Sequence, residues 1–219
     1  MRAYWLVAAA FTLAVQLHAA PADDPVIQVD FSNPGLLPPQ WTLILHPDGS
    51  GHFRSQMDNA PKAGLKEIEA PSIDRDIQLS KEFAARVFAA AQRHKDFNLP
   101  CESHLKVAFE GWKTFTYNGP LGQGSCTFNY SRDREIQSLG DSMQAVAQTI
   151  LEGARLELLL QHDRLGLDRE MEFLTEAVQD GQAQQVCAIR DILQKLSEDD
   201  SVLERVRKRA RSLLDCGPT

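Results

Sequence analysis

Two histidines on a short hairpin are the residues whose type and spacing first suggest chemistry. His46 and His52 flank the turn Pro47-Asp48-Gly49, and on an antiparallel pair of strands they would be diagonal neighbours within reach of one ion. A zinc site needs at least three protein ligands. Asp48 and His104 could approach, but no third ligand stands at a typical spacing. We therefore predict an exposed, unliganded pair, without metal or cofactor, and keep His46, His52 and His104 as a candidate ligand face.

Cysteines provide the second candidate chemistry. Cys101 and His104 could act as a nucleophile and its base, which would require contact in space. The chain holds Cys101, Cys126, Cys187 and Cys216, and an even number of cysteines in an exported protein favours disulfides. Because Cys101 and Cys126 fall in one predicted β segment, we predict that they pair, with a stabilisation of about 3 to 4 kcal/mol. Cys187 is either a buried free thiol or the partner of Cys216.

A basic patch lies near the end of the chain, with five cationic side chains in seven residues. Such a patch could bind an acidic partner or lipid headgroups, whereas cations near the C-terminus of a helix also offset its dipole. We favour a solvated helix face and keep the patch as a candidate interaction surface. Its members are Arg205, Arg207, Lys208, Arg209 and Arg211.

Glycine-rich phosphate loops lead into the N-terminus of a helix. The cluster Gly119, Gly122 and Gly124 connects two predicted strands instead, so we interpret it as a hairpin loop. The sequence also lacks the G-x-S-x-G, H-E-x-x-H, Walker and EF-hand patterns. The common hydrolase and metalloprotease signatures are therefore missing.

The candidate histidines would be positioned by a hairpin from Trp41 to Ser55. Its three-residue loop ends in Gly49, as a type I turn with a G1 bulge requires. This loop pairs Leu43 with Phe53, and the same register places the large apolar side chains together on one face. Turn chemistry and hydrophobic pattern thus predict one register.

A strand and a helix follow the hairpin. Ile77 and Leu79 alternate as in a strand, and Ser80 is typical of the N-cap of a helix that ends near His94. Before them, the stretch from Gln56 to Ile73 predicts a loop with at most a short strand.

Residues 104–130 predict a three-stranded meander. A loop at 109–111 would place Leu105 and Val107 on the same face as Phe115 and Tyr117. The third strand would then turn alternate residues inward: Cys126, Phe128 and Tyr130.

From residue 131 onward, apolar residues recur at helical spacing and predict four helices. The first would be capped by Asp141 or Ser142 and ended by Gly166, and the last capped by Asp200 or Ser201. We predict an α+β fold. An antiparallel sheet with one packed helix occupies residues 21–135, and an α-helical bundle occupies residues 136–219.

Residues 1–20 predict a signal peptide. Arg2 precedes an apolar run from Tyr4 to Leu17, which is shorter than the roughly 20 residues that span a bilayer. Cleavage is expected after one of three small residues: Ala19, Ala20 or Ala22. The mature chain keeps 22 basic and 30 acidic residues, a net charge of −8, which disfavours nucleic-acid binding. No later stretch predicts a transmembrane segment.

Two resemblances accompany these elements. The order hairpin, strand, helix and meander from Trp41 to Tyr130, led by WTLILHPDGSGHF, resembles small exported bacterial domains of unknown function, and this resemblance implies no activity. The helix pair from Gln182 to Leu214, with VRKRA near its end, resembles a single HEAT-type repeat, a unit that needs about three copies to bury its faces.

These observations predict a non-enzymatic periplasmic or secreted protein whose helical half binds a protein or cell-envelope partner. The alternative is a small exported hydrolase or metal-binding protein that uses the histidines of the β region.

Overall fold

The structure is a computed structural model and describes residues 24–56, 72–120 and 122–215 of the 219-residue chain. The predicted signal peptide, most of the predicted loop between Gln56 and Ile73, and Cys216 lie outside the described residues.

A six-stranded antiparallel sheet forms the N-terminal half, and helices follow it, so the predicted α+β class is confirmed. The strand order is β4-β3-β2-β1-β5-β6. The strands are β1 (Val26–Ser32), β2 (Gln40–Leu45), β3 (Ser50–Gln56), β4 (Ile73–Gln78), β5 (Trp112–Gly119) and β6 (Gly122–Phe128).

The hairpin of β2 and β3 has the predicted register. Leu43 pairs with Phe53, and the His46 N–H donates to the carbonyl of Ser50 at 2.8 Å. Gly49 has a φ of 85°, a conformation that glycine adopts at little cost. Turn chemistry and hydrophobic alternation therefore specify this hairpin together.

Strand β1 is absent from the sequence-based prediction, although it lies in the middle of the sheet. Val29 is paired with Leu43 of β2 on one side and with Phe115 of β5 on the other. Its alternation of buried and half-buried residues is regular. The strand follows directly after the predicted signal peptide.

The predicted three-stranded meander is wrong. Residues 101–111 form no strand, and only β5 and β6 pair in this region. Leu105 and Val107 are exposed, whereas Phe115 and Tyr117 are buried. Phe115 lies beside Val29 of β1, so β1 takes the place that the prediction gave to residues 104–108. Cys126 and Phe128 do face inward, as predicted.

The described residues also form five α-helices: α1 (Lys81–Arg93), α2 (Arg134–His162), α3 (Leu167–Gln179), α4 (Arg190–Glu198) and α5 (Glu204–Leu214). Short 3₁₀ helices cover Lys95–Phe97 and Val186–Ile189. As predicted, Ser80 caps α1, because its hydroxyl accepts the Phe83 N–H at 3.1 Å.

Two predicted helix starts are wrong. Helix α2 begins at Arg134, where the Asp133 carboxylate accepts the N–H groups of Glu135 and Ile136; the prediction placed its cap at Asp141 or Ser142. Helix α5 begins at Glu204 without a side-chain cap, later than the predicted cap at Asp200 or Ser201. At α2 several acidic or hydroxyl residues are candidates for the cap, and propensity alone does not rank them. At α5 the residue before the helix is Leu203, so no capping side chain marks the start.

Helix α2 connects two hydrophobic cores. Its first half packs with α1 on the buried face of the sheet, and its second half packs with α3, α4 and α5. The first core includes Ala154, and the second begins at Leu156. The predicted boundary at 135/136 falls in the first turn of this helix.

Among the residues that the structure describes, no helix combines the length and apolarity needed to cross a membrane.

Candidate functional site

His52 lies between two carboxylates of the edge strand β4. The side chain leaves β3 opposite Asp76. Its Nδ1 lies 2.8 Å from an Asp76 oxygen, and its Nε2 lies 2.9 Å from an Asp74 oxygen. Arg54 is 3.5 Å from the other Asp74 oxygen. Basic side chains of β3 therefore pair with carboxylates of β4 across the two strands.

This arrangement fixes the chemistry of His52. The hydrogen bond to Asp76, supported by Asp74 and opposed by desolvation, raises the pKa of His52. Both ring nitrogens face carboxylates, and a histidine that donates from both nitrogens is a cation without a free lone pair. In this state His52 can neither ligate a metal nor accept a proton as a base.

A cleft of about 920 Å³ contains the two hairpin histidines. His46, His52 and Asp76 line it from the sheet, and Arg190 and Asp191 line it from the start of α4. Within the described part of the chain, no three His, Cys, Asp or Glu side chains are grouped so as to hold a metal ion.

His104 lies at the far edge of the sheet. It follows Glu102, whose carboxylate accepts the Asn129 N–H at 2.6 Å, next to the end of β6. Because β4 and β6 are opposite edges of the sheet, the structure does not bring His104 to His46 and His52. The three predicted ligands therefore do not share one site.

The structure brings the sulfurs of Cys101 and Cys126 to disulfide distance, with Cα atoms 5.6 Å apart. Because its sulfur is paired with that of Cys126, Cys101 does not act as a nucleophile with His104 in this state. Cys187 is not a free thiol either, so the alternative of a buried free thiol at this position is wrong.

The segment 101–111 is held at the β6 edge by side-chain contacts instead of a strand ladder. The Glu102 carboxylate accepts the N–H groups of Asn129 and His104. Although burial opposes them, these hydrogen bonds lower the pKa of Glu102. The Asn129 side chain accepts the Glu110 N–H and donates to the Ala108 carbonyl. Both ends of the segment are therefore fixed.

An exposed apolar surface results at this end of the sheet. Six large apolar side chains are each at least 44% exposed: Leu36, Leu37, Leu105, Val107, Phe109 and Trp112. We call this group the apolar end. The Phe109 and Trp112 rings meet edge to face, with centroids 6.0 Å apart.

The side chains of the apolar end come from two loops and from the first residue of β5. Trp112 begins β5 and pairs with Ser32, the last residue of β1. Leu36 and Leu37 lie in the loop that starts there, which is closed by the hydrogen bond from the Asn33 N–H to the Pro39 carbonyl. Gly111 lies against this region, since a Cβ placed on it would come within 3.1 Å of Asn33 Cβ.

Most of the basic side chains of α5 form ion pairs with carboxylates of the same protein. Asp168 of α3 pairs with Arg205 and Arg209, at 2.6 and 2.7 Å. Glu204 pairs with Arg207 and Arg211, each at 2.6 Å. The predicted interaction patch thus joins α5 to α3 and to its own first turn, and its role toward a partner stays a prediction.

Sequence reasoning missed the apolar end. Leu105 and Val107 alternate with polar residues, as in a half-buried strand, and this pattern predicts that they face the core. Leu36 and Leu37 precede two prolines, which exclude a regular helix or central strand. Apolar residues in such a loop were the available signal for a surface site.

No protein-family model matches the chain, and no curated protein matches it either.

Proposed function

We propose that this is an exported, non-enzymatic protein that binds a protein partner of the cell envelope through its apolar end. The observation that carries the proposal is the exposure of Trp112, Phe109 and four aliphatic side chains on one end of the sheet. Large exposed apolar patches are uncommon on monomeric proteins and mark interaction sites, and here the Phe109 and Trp112 rings are in direct contact. Tryptophan is also enriched among the residues that dominate binding energy.

The remaining features support this function over hydrolysis or metal binding. His52 is occupied by Asp74 and Asp76, and His104 lies at the opposite edge of the sheet. Export is supported by the apolar leader and by the disulfide-distance pair Cys101 and Cys126, since disulfides persist outside the cytosol.

The test compares two paired substitutions in the mature protein. Phe109→Ser with Trp112→Ser removes the aromatic centre of the apolar end. Leu165→Ser with Phe173→Ser is the matched control, because these side chains are also exposed, at 83% and 47%, but lie in the helical half. Crosslinking in envelope extracts, with mass spectrometry, identifies the partner, and calorimetry with the purified partner gives Kd.

We expect the apolar-end variant to bind at least about 30-fold more weakly, which corresponds to the loss of about 2 kcal/mol at hot-spot residues. The control should bind like the wild type. Equal affinity for both variants would contradict the proposal. Sedimentation analysis adds a second check, because a wild-type dimer that the apolar-end variant abolishes would mean that a second copy occupies this surface.

A further inference from the structure

Two glutamates are buried where α2 passes from the first hydrophobic core to the second. Glu152 of α2 is 5% exposed, and Glu170 of α3 is 8% exposed. Glutamate is rarely buried to this extent unless it is paired. The burial of two carboxyl groups therefore raises the question of how their negative charge is compensated.

The hydrogen bonds around Glu152 are incomplete. Its Oε1 accepts from the Gln148 amide at 2.7 Å, while its Oε2 is buried without a donor. The Glu170 carboxyl lies within hydrogen-bonding reach, but two ionised carboxylates have no proton to share. A proton on one of them would supply the missing donor.

The surrounding charges do not neutralise both carboxylates. Arg155, one turn after Glu152 on α2, has its Nε 3.2 Å from Glu170 Oε2, although the contact lacks hydrogen-bond geometry. The charged groups that act on Glu152 are Glu170 from α3 and Arg155 from its own helix. The 3₁₀ helix Val186–Ile189 and α4 also pack on α2 and contribute buried apolar side chains: Ile189, Ile192, Leu193 and Leu196.

We propose that the packing of α3 against α2 is a proton-controlled joint, in which Glu152 and Glu170 must share a proton for the two helices to stay packed. Burial, followed by the hydrogen bond to Glu170 and the charge of Glu170, raises the pKa of Glu152 to about 9. At neutral pH the packed joint therefore holds a proton that two separated, solvated carboxyls would release.

The sign of the pH dependence follows from this difference. A solvated glutamate has a pKa of about 4.3, so below that pH Glu152 is protonated in both the packed and the separated state, and its contribution to the packing is complete. Between that pH and about 9, the packed state holds one more proton than the separated state. Each pH unit in this window can weaken the packing by up to about tenfold.

Hydrogen exchange of the α3 amides between pH 5 and 8 tests the joint in the full mature chain, after correction for the intrinsic effect of pH on exchange. We expect the opening equilibrium of wild-type α3 to rise several-fold to about tenfold per pH unit. Glu152→Gln keeps a hydrogen-bond donor and cannot titrate, so its opening should not vary with pH. Glu176→Gln is the matched control, because Glu176 is an exposed glutamate of α3, the helix whose exchange is measured.

An unchanged pH slope in Glu152→Gln would overturn the proposal, and so would a slope in Glu176→Gln as flat as that of Glu152→Gln. A second measurement needs no variant. Carbon NMR of labelled glutamate side chains in the wild type should show one carboxyl that titrates near 9, as the pKa of Glu152 requires. Titration of every glutamate below about pH 6 would exclude the shared proton.

Discussion

His52 is a residue whose role is set by its neighbours across the strand. Free histidine has a pKa near 6.5, and Asp76 and Asp74 raise the pKa of His52 above that value. Because the folded state favours the proton, the stabilising contribution of the cluster is complete below about pH 6.5 and is lost as the pH rises through the raised pKa. The contribution is small, since the cluster is exposed and screened by solvent.

Replacement of His52 should therefore change how the stability of the protein depends on pH. The melting temperature of the wild type should exceed that of His52→Gln more at pH 5.5 than at pH 8.5, because glutamine carries no titrating charge. Circular dichroism melts at both pH values measure the difference. His104→Asn is the control: His104 is exposed and has a φ of 54°, which asparagine tolerates. A gap between wild type and His52→Gln that is constant with pH would be inconsistent with the ionised cluster.

At Gly153 the 3₁₀ helix Val186–Ile189 lies directly against α2. A Cβ added to this residue of α2 would lie 2.4 Å from Ile189 Cγ2, at the end of the 3₁₀ helix Val186–Ile189. Glycine inside a helix costs about 1 kcal/mol relative to alanine. That cost is offset here because glycine lets the 3₁₀ helix approach α2, next to the joint of Glu152 and Glu170.

At the scale of elements we therefore expect Gly153→Ala to destabilise the protein by about 1 to 3 kcal/mol, through overpacking against Ile189. Urea unfolding measures the change. A double-mutant cycle with Ile189→Ala supplies the control, since removal of the contacting methyl groups should reduce the cost of Gly153→Ala. The same cost in both backgrounds would show that the clash with Ile189 is not the cause.

In the molecule as a whole, the oxidation state of the cysteines depends on the cellular compartment in which the protein folds. Within the described residues no cysteine is a free thiol, and the Cys101 to Cys126 pair fixes the start of the segment that carries half of the apolar end. Export to an oxidising compartment would allow this state to form. The surface proposed to bind a partner would then depend on the same translocation step.

We expect protein recovered from the periplasm to begin after Ala19, Ala20 or Ala22. Its Cys101, Cys126 and Cys187 should resist alkylation until a reductant is added. Intact mass and peptide mapping, with and without reductant, measure both properties, and protein produced without its leader in a reducing cytosol is the control. Exported material that retains Met1, or whose thiols alkylate before reduction, would argue against this account.

Much of the fold was predictable because local signals agreed with the tertiary environment. The Pro47-Asp48-Gly49 turn, the alternation in β2 and β3 and the Ser80 cap each act within a few residues. Apolar residues at helical spacing likewise predict helices whatever they pack against. The start of α2 was less predictable, because neighbouring acidic and hydroxyl residues are equivalent candidates for the cap. The start of α5 was less predictable because no side chain caps it.

By itself, the sequence determined the α+β class, the β2 and β3 hairpin register, the α1 cap and the partnership of Cys101 with Cys126. Tertiary structure alone decided which residues face solvent or meet across the chain. Segment 101–111 has the alternation of a strand, yet β1 occupies the neighbouring position beside β5 and leaves its apolar residues exposed. By residue type, Glu152 and Glu170 are expected on the surface, but the packing of α3 against α2 buries both side chains. The reason is physical: periodicity reports local backbone preference, whereas strand order and helix packing depend on contacts between distant residues.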